Sequence, residues 1–581
     1  MQLVIQKNGD RKYVSIKESF WDAARKKYSS RTVENFGRLD ILEKENPNIL
    51  AELRQRVESF NENKETEKQK LILARVEKAT QKIEVVQDAN ADNRTLMIGA
   101  VPYRQLWNKL SLTRKLRDFQ KESKAKYDLA EAIFYMVAAR SLMPDSKLGQ
   151  WEKRNTFLYG GPQLKLCHLY RSLDLLVKNK DNLVTYLNRQ IARHYKRTVN
   201  VALYDVTTYW FESQDADTLR NFGFSKDNKV NQVQVVMGLL IDQNGIPIDY
   251  ELFPGNTNEF GTMIPILKRL KEQYDLERVI VTADRGLNSG RNLKQILDLG
   301  LEYVIAYRLR NSGEKIRALI ADENGWTYRR SSNISDVSKY RITGESRPVR
   351  WVDENTGEIH NETLESNLLV NYSAKRAMKD AHDRQRLIDK AKRYEDNPSM
   401  LKSDLRRGGK SYLKIDADGL SAEVDEARIR KNAFFDGYYG ISYSDSEMSP
   451  EEVLAVHHSL WQIEESFRIS KSLFEARPCF HWKESRIRGH FLICYLALVL
   501  HRLLERTLAD AGEVITAERI VTALAEAELI EVMMSDGQAH RRGFRTYLQG
   551  GWAGVLAEAC QGGHCETGAQ TQGAVTGNQG L

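Results

Sequence analysis

The sequence predicts a mixed α/β fold, a sheet of antiparallel and then parallel strands wrapped by helices. Three observations predict it. Between residues 199 and 310, apolar runs of strand length alternate with amphipathic helical stretches. Two of those runs lead into an aspartate, Asp205 in NVALYDVTTYW and Asp284 in RVIVTADRGLNSG. Further on, the helix-like stretch LWQIEESFRISK carries a third acid, Glu464, beside two basic residues.

The elements follow in order. Residues 1–45 read as short strands (LVIQK, a Gly9-Asp10 turn, YVSIKESF, TVENFG). Residues 46–198 read as a helical, basic region suited to binding DNA, or else to packing as a helical domain. Leu53, Val57 and Phe60 are spaced for one buried stripe, and YDLAEAIFYMVAARSL and CHLYRSLDLLVKNKDNLVTYLNRQI are amphipathic. From 199 to 310 come a strand (VNVALYDVTTYWFE) and a hairpin whose Asn244-Gly245 pair predicts a type I′ turn. A helix (MIPILKRLKEQYDL), a strand (RVIVTAD), a helix (GRNLKQILDLG) and a strand (LEYVIAYRL) complete the segment. Three strands, a helix, a strand, a helix and a strand is the order of an RNase H-like fold, in which the first and fourth strands are neighbours. Residues 311–445 read as a β-rich insertion containing one charged helix, AKRAMKDAHDRQRLIDKAKR. Residues 446–548 bring the helix of Glu464 and further helices, and complete the core. Residues 549–581, rich in Gly, Gln and Thr, read as a disordered tail.

Bulk properties narrow the function. The 581 residues exceed one compact core, and 41% apolar with 29% charged residues is a soluble globular composition. Net charge is +8, yet residues 101–200 alone hold 20 Lys+Arg against 8 Asp+Glu. Such a basic concentration is the footprint of a phosphate-backbone binder, or else a well-solvated helical surface. Five cysteines make no disulfide framework, which fits a reducing cytoplasm. Cys560, His564 and Cys565 have no partner pair at zinc-ligand spacing. The charged N-terminus is not a signal peptide, and the apolar run FLICYLALVL is too short to span a bilayer, so no membrane role is expected.

The three acids suit phosphodiester chemistry. Two divalent ions about 3.5–4 Å apart can serve the attacking and the leaving oxygen of an in-line displacement. Mg²⁺ prefers hard oxygen ligands and keeps several waters, so a few carboxylates suffice. Asp205, on the central strand, is the expected bridge, with Asp284 and Glu464 on one ion each. On the third-acid helix, Glu464, Arg468 and Lys471 share a face at i, i+4 and i+7, where the two bases would meet DNA phosphates. Ile463, Phe467, Ser470 and Phe474 share a face suited to packing on the sheet. Singly, each acid reads as well as a turn, cap or surface residue. Asn256 after the third strand either lines the site or serves a turn, Arg285 either touches DNA or screens the acids, and His490 reads as structural.

The segments YDVTTYWFES, FPGNTNE, VTADRGLNS, YSAKRAMKDAHDRQRLIDKA and LWQIEESFRISKSLFEARPCFHWKESRIRGHFLICYLAL resemble the DDE-type bacterial insertion-sequence transposases of the fourth insertion-sequence family and its relatives. The resemblance covers about 199–505, more weakly upstream. It implies an RNase H-like catalytic domain interrupted by a β-rich insertion, and an active site using two Mg²⁺ ions, with Mn²⁺ as a substitute. Asp205, Asp284 and Glu464 match the metal acids. It further implies binding to the element's terminal inverted repeats and to target double-stranded DNA, cleavage and strand transfer, a homodimer on DNA, and a bacterial, nucleoid-associated cytoplasmic location. The family pattern is Tyr, two residues, Arg, three residues, Glu, six residues, Lys. Lys471 fits it, whereas His457 and Leu460 stand at the Tyr and Arg positions. His457 retains the ability to contact a phosphate; Leu460 does not, which puts hairpin-forming excision in question. Trp326 and Trp351 are candidates for an aromatic of the insertion that stacks on a base. The competing readings are a catalytically inactive DNA-binding descendant of a transposase and a structure-selective nuclease of the same fold.

Overall fold

The computed structural model describes residues 1–9, 11–22, 27–59, 61, 94–161, 163–223, 231–257, 261–273, 279–283, 285–329, 337–352, 358–396, 412–415, 422–477, 479–533 and 539–545. Phe60, the tail from 549 and its Cys560, His564 and Cys565 lie outside them. The chain divides into two compact units, Met1–Ala91 and Asp92–Met533.

In the first unit, where strands are expected, β1 (Gln2–Asn8), β2 (Arg11–Asp22) and β3 (Lys27–Arg38) form an antiparallel meander. Val14 of β2 packs with Leu39 of the following helix (Leu39–Glu45) and with Leu53 to make a small core.

The second unit begins with β4 (Arg94–Met97) and six helices: Val101–Lys109, Leu112–Lys121, Leu129–Leu142, Lys147–Lys153, Leu166–Lys178 and Lys180–Tyr195. In Leu129–Leu142 every residue but Glu131 is buried, so this helix is apolar all round rather than amphipathic. Asp128 caps it by accepting from Glu131 N at 3.0 Å. The helix Glu484–Asp510 is long and apolar enough to cross a membrane by composition alone, but it is buried against these helices. Burial of that kind is the use of a core helix, and no membrane is indicated. Gly489 allows the closest approach: a Cβ there would stand 2.7 Å from Leu173 Cβ and from Leu173 O.

The main sheet contains β5 (Val201–Trp210), β6 (Gln234–Asp242), β7 (Pro247–Pro254), β8 (Ile280–Ala283) and β9 (Glu302–Tyr307). β6 runs antiparallel to β5 and β7, while β8 is parallel to β5 and to β9. Counted from β5, the five strands lie in the order third, second, first, fourth, fifth. Helices Met263–Gln273 and Gly290–Asp298 cover one face, packing on Ala202, Tyr204 and Val206 of β5. The six helices and Glu484–Asp510 cover the other, on Leu203 and Tyr209. Alternating side chains of one strand thus serve two cores.

The segment 311–445 continues this same sheet. Beyond β9 lie β15 (Tyr438–Tyr443), β12 (Ile359–Ser373), β11 (Ser338–Val352) and β10 (Thr327–Arg329), giving nine strands. β13 (Leu413–Ile415) and β14 (Ala422–Val424) pair separately, beside the expected charged helix, Ala374–Asp396.

Two expectations need correction. The Asn244-Gly245 turn is not type I′: of the pair only Gly245 takes a positive φ, 78°. The Asp242 carboxylate accepts from Asn244 N and Ile246 N, both at 2.9 Å, and that local capping sets the turn instead. The stretches expected as wholly helical also hold strands. β16 (Glu528–Met533) pairs with β17 (Ala539–Arg545) and with β4, more than 400 residues away, a pairing that local periodicity cannot reveal.

Candidate active site

Asp205 is the fifth residue of β5, inside the strand rather than at its end. On one side it pairs with Leu239 of β6. On the other, β5 follows β8 only as far as Tyr204, opposite Ala283. Asp205 therefore begins the part of β5 that β8 no longer covers, and its side chain is half-buried. Its Oδ1 accepts from Val206 N at 2.7 Å. The next residue after Ala283 is Asp284, which lies outside the described residues. Arg285 opens a short helical turn, Arg285–Leu287, and its side chain also lies outside the description.

Strand alternation places Asp205 on the face of Leu203, Thr207 and Tyr209. Leu203 and Tyr209 share their core with Ile463, Phe467, Ile469 and Phe474. The third-acid helix, Trp461–Arg468, thus packs on the face that Asp205 occupies. Two contacts set its level along β5. Gln462 sits against the Gly245 turn, beyond the start of the strand. At the other end Tyr209 Oη donates to Ser470 Oγ at 3.0 Å, and Lys471 Nζ stands 5.4 Å from the Tyr209 ring. Glu464 falls between the two, flanking the stretch of β5 that holds Asp205.

A network from the long helix fixes the backbone of this helix. Arg502 donates to Gln462 O at 3.1 Å and to Ser466 Oγ at 2.9 Å. After Arg468 the chain makes a π-turn, Ile469–Leu473, and Glu475 takes a left-handed φ of 44°. Buried Arg140 holds that bend, donating to Phe474 O at 3.2 Å and Asp145 O at 2.7 Å. His490 Nε2 lies 3.2 Å from Ala476 O, to which it donates. Burial, then Arg140 and Lys147, hold the His490 imidazole neutral.

The π-turn and the ion pairs revise the expected basic face. Arg468 is bidentate to Glu465, 2.8 Å on both oxygens, and also bonds Glu518. It is therefore committed to protein carboxylates, and this hydrogen bonding holds Glu465 below the ordinary carboxylate range. Glu465 is the more buried of the two adjacent acids, its side chain 24% exposed, while Glu464 is exposed. Lys471 lies within the π-turn, where the regular i+7 relation to Glu464 is lost. The helix is amphipathic in the expected sense, with Ile463, Phe467, Ser470 and Phe474 all buried.

The other candidates are dispersed. His457 lies in the last turn of the preceding helix, Pro450–His458, half-buried with its ring 6.0 Å from Tyr439. Leu460 packs on the core. Asn256 is exposed in the turn after β7. Trp326 is 8% exposed in a core with Leu309, Ile316 and Phe435, and its indole donates to Asp322 O at 2.7 Å. Trp351 stacks on His360 with ring centroids 4.4 Å apart. Sequence reasoning missed Arg140, Arg502 and Ser466. A lone arginine in an otherwise apolar helix, as in FYMVAARSL, was the available signal.

Among the described residues, no group of three or more His, Cys, Asp or Glu converges to hold a metal. Asp205 and Glu464 nonetheless present oxygen-only donors, half-buried and exposed, the chemistry of a hard divalent cation rather than zinc.

Residues 209–500 match the family model described as Transposase DDE domain, and residues 3–71 match the IS1634 family transposase N-terminal domain. The first match begins four residues after Asp205. Among solved structures the chain is similar to the cryo-EM structure of piggyBac transposase synaptic complex with hairpin DNA. Identity is 10% over 74% of this chain and 80% of that one, and the TM-score of 0.34 is too low to carry an argument. No curated protein matches the chain.

Proposed function

The chain belongs to the DDE-type insertion-sequence transposases, and from that premise we propose that it binds the terminal inverted repeats of its own element, cleaves the DNA there and joins the freed ends to target DNA. The core is read as RNase H-like. The strand order third-second-first-fourth-fifth, with only the second strand reversed, supports that reading.

The observation that carries the proposal is the shared face of Asp205 and the Glu464 helix, locked to β5 through Ser470 and Tyr209. Asp205, Asp284 and Glu464 would hold two Mg²⁺, or Mn²⁺ in their place, which supply an activated attacking oxygen and neutralise charge at phosphorus. β5 and the helix supply rigid placement for two of these acids. Lys471, whose ammonium stands beside Tyr209 near the end of β5, would meet a DNA phosphate, and His457 and Asn256 would be further phosphate contacts. Water and a 3′-hydroxyl would serve in turn as nucleophile at one site, since both reactions are in-line displacements at phosphorus. Water would free the 3′-hydroxyl at the element end, and that hydroxyl would then displace a 3′-oxygen at a target-strand phosphate. The protein would act as a homodimer, one subunit per element end.

The test is incubation of linear DNA carrying this gene and its native flanks with Mg²⁺, comparing wild type with Asp205→Asn. Wild type is expected to cut at the repeats, and Asp205→Asn to lose on the order of 10³-fold or more in rate with an unchanged melting temperature. Equal cutting by both proteins would refute the assignment of Asp205.

A further inference from the structure

A second surface, beyond the acids, has the chemistry of a nucleic-acid track. The loop joining the third-acid helix to Glu484–Asp510 carries two large aromatics turned to solvent, Phe480 at 60% and Trp482 at 63% exposure. Burying either would gain about 1.5–3 kcal/mol, yet each stands out beside ordered neighbours. The loop is anchored on both sides. Cys479 is buried, and the His481 ring, between the two aromatics, meets Tyr170 edge-on at 5.9 Å and His490 at 5.5 Å. The exposed rings are therefore presented by a fixed backbone.

Cations surround them. The Arg220 guanidinium lies 5.2 Å from the Trp482 ring, although Asp217 offsets its charge at 2.7 Å. Arg486 stands 4.8 Å from the Tyr170 ring. Tyr170 leads along its helix to a groove of about 520 Å³ lined by Lys124, Lys126, Tyr127, His168, Arg171 and Asp174. Within it Tyr127 and His168 are stacked, 4° from parallel with centroids 4.3 Å apart. Asp174, the one acid of that set, is engaged by Ser485 at 2.6 Å and by Arg486. Three cations and a flat ring pair thus line a groove between the Leu166–Lys178 helix, which carries His168, Tyr170 and Arg171, and the loop of Lys124, Lys126 and Tyr127.

A basic groove tracks a phosphate backbone, and exposed aromatic faces stack on bases only where those bases are unpaired. We propose that Phe480 and Trp482 are a stacking platform for unpaired bases of a DNA strand whose backbone continues into the Lys124–Arg171 groove. This rests on the reading that DNA is the substrate. It adds a preference for single-stranded or opened DNA, carried by residues other than the three acids.

The experiment measures binding of the full chain, without metal, to a fluorescein-labelled 20-nucleotide thymidine strand and to a 20-base-pair duplex, by anisotropy. Base stacking on an aromatic contributes about 1–3 kcal/mol. Phe480→Ala/Trp482→Ala should therefore weaken single-strand binding roughly tenfold or more, and duplex binding much less. Trp482→Phe, which keeps a ring, should restore most of the loss. Equal loss on both DNAs, or none on either, overturns the platform while leaving the transposase reading intact. Failure of the wild-type chain to bind the thymidine strand overturns the platform, and the transposase reading is then judged by the cleavage test at the element ends. A shift from dimer to monomer in light scattering, with DNA binding unchanged, would assign the two aromatics to a contact between copies and overturn the proposal.

Discussion

The main sheet holds two kinds of carboxylate. At the β6–β7 turn, Asp242 is wholly buried with Arg197, both side chains 0% exposed and 2.7 Å apart. Every donor there has a use: Arg197 also reaches Asn188 Oδ1 at 2.8 Å and Ile246 O at 2.9 Å, and Asp242 caps the turn. One strand away, Asp205 is half-buried and Glu464 exposed, with no ion pair to Glu464 among the described residues. An arginine that fills a carboxylate's lone pairs makes it a structural part and closes it to a metal. The difference separates two adjacent acids: Glu465, bidentate to Arg468, resembles Asp242 more than it resembles Glu464.

The contrast can be broken most forcefully at the buried pair. Arg197→Met leaves the Asp242 charge buried without its partner and should cost about 3–5 kcal/mol of stability, read by urea denaturation. A cost like that expected for Asp205→Asn, under about 1 kcal/mol, would erase the distinction. A smaller effect is expected at Lys147, whose ammonium is buried beside Arg140 and hydrogen-bonded to Gln150 at 2.9 Å. Burial, then Arg140, pushes its pKa down to about 7. Between that value and the ordinary lysine range the unfolded chain binds more protons than the folded one, so stability rises with pH across that window. Melting temperatures should climb between pH 7 and 9 in wild type and stay flat in Lys147→Met. The smallest effect is expected for Glu465→Gln, a loss under about 1 kcal/mol for its partly exposed pair, measured by the same denaturation.

The sequence made much of this legible. The strand–helix order around Asp205 is visible because each element carries its own periodicity, and the burial of Ile463 and Phe467 follows from helical spacing. What stayed hidden depends on partners distant in the chain. Arg468 reads as a DNA contact on the face of Glu464, yet it pairs with Glu465 three residues back and with Glu518, 50 residues on. Only the second partner is beyond the reach of helical spacing. The π-turn at Ile469–Leu473 has no residue signature, so the i, i+4, i+7 face was drawn too far. Trp326 reads as an interaction residue by type, and only the fold reveals the core around it.

The central claim is that Glu464, and not its neighbour, is the acid serving the site with Asp205. The most direct test is Mg²⁺-dependent cleavage of DNA carrying the native element ends by wild type, Glu464→Gln and Glu465→Gln in parallel. Loss of cutting in Glu464→Gln, with Glu465→Gln retaining activity within a fewfold, is the predicted result. Loss in Glu465→Gln with Glu464→Gln active would contradict the account, placing the reactive carboxylate where the geometry finds a structural ion pair.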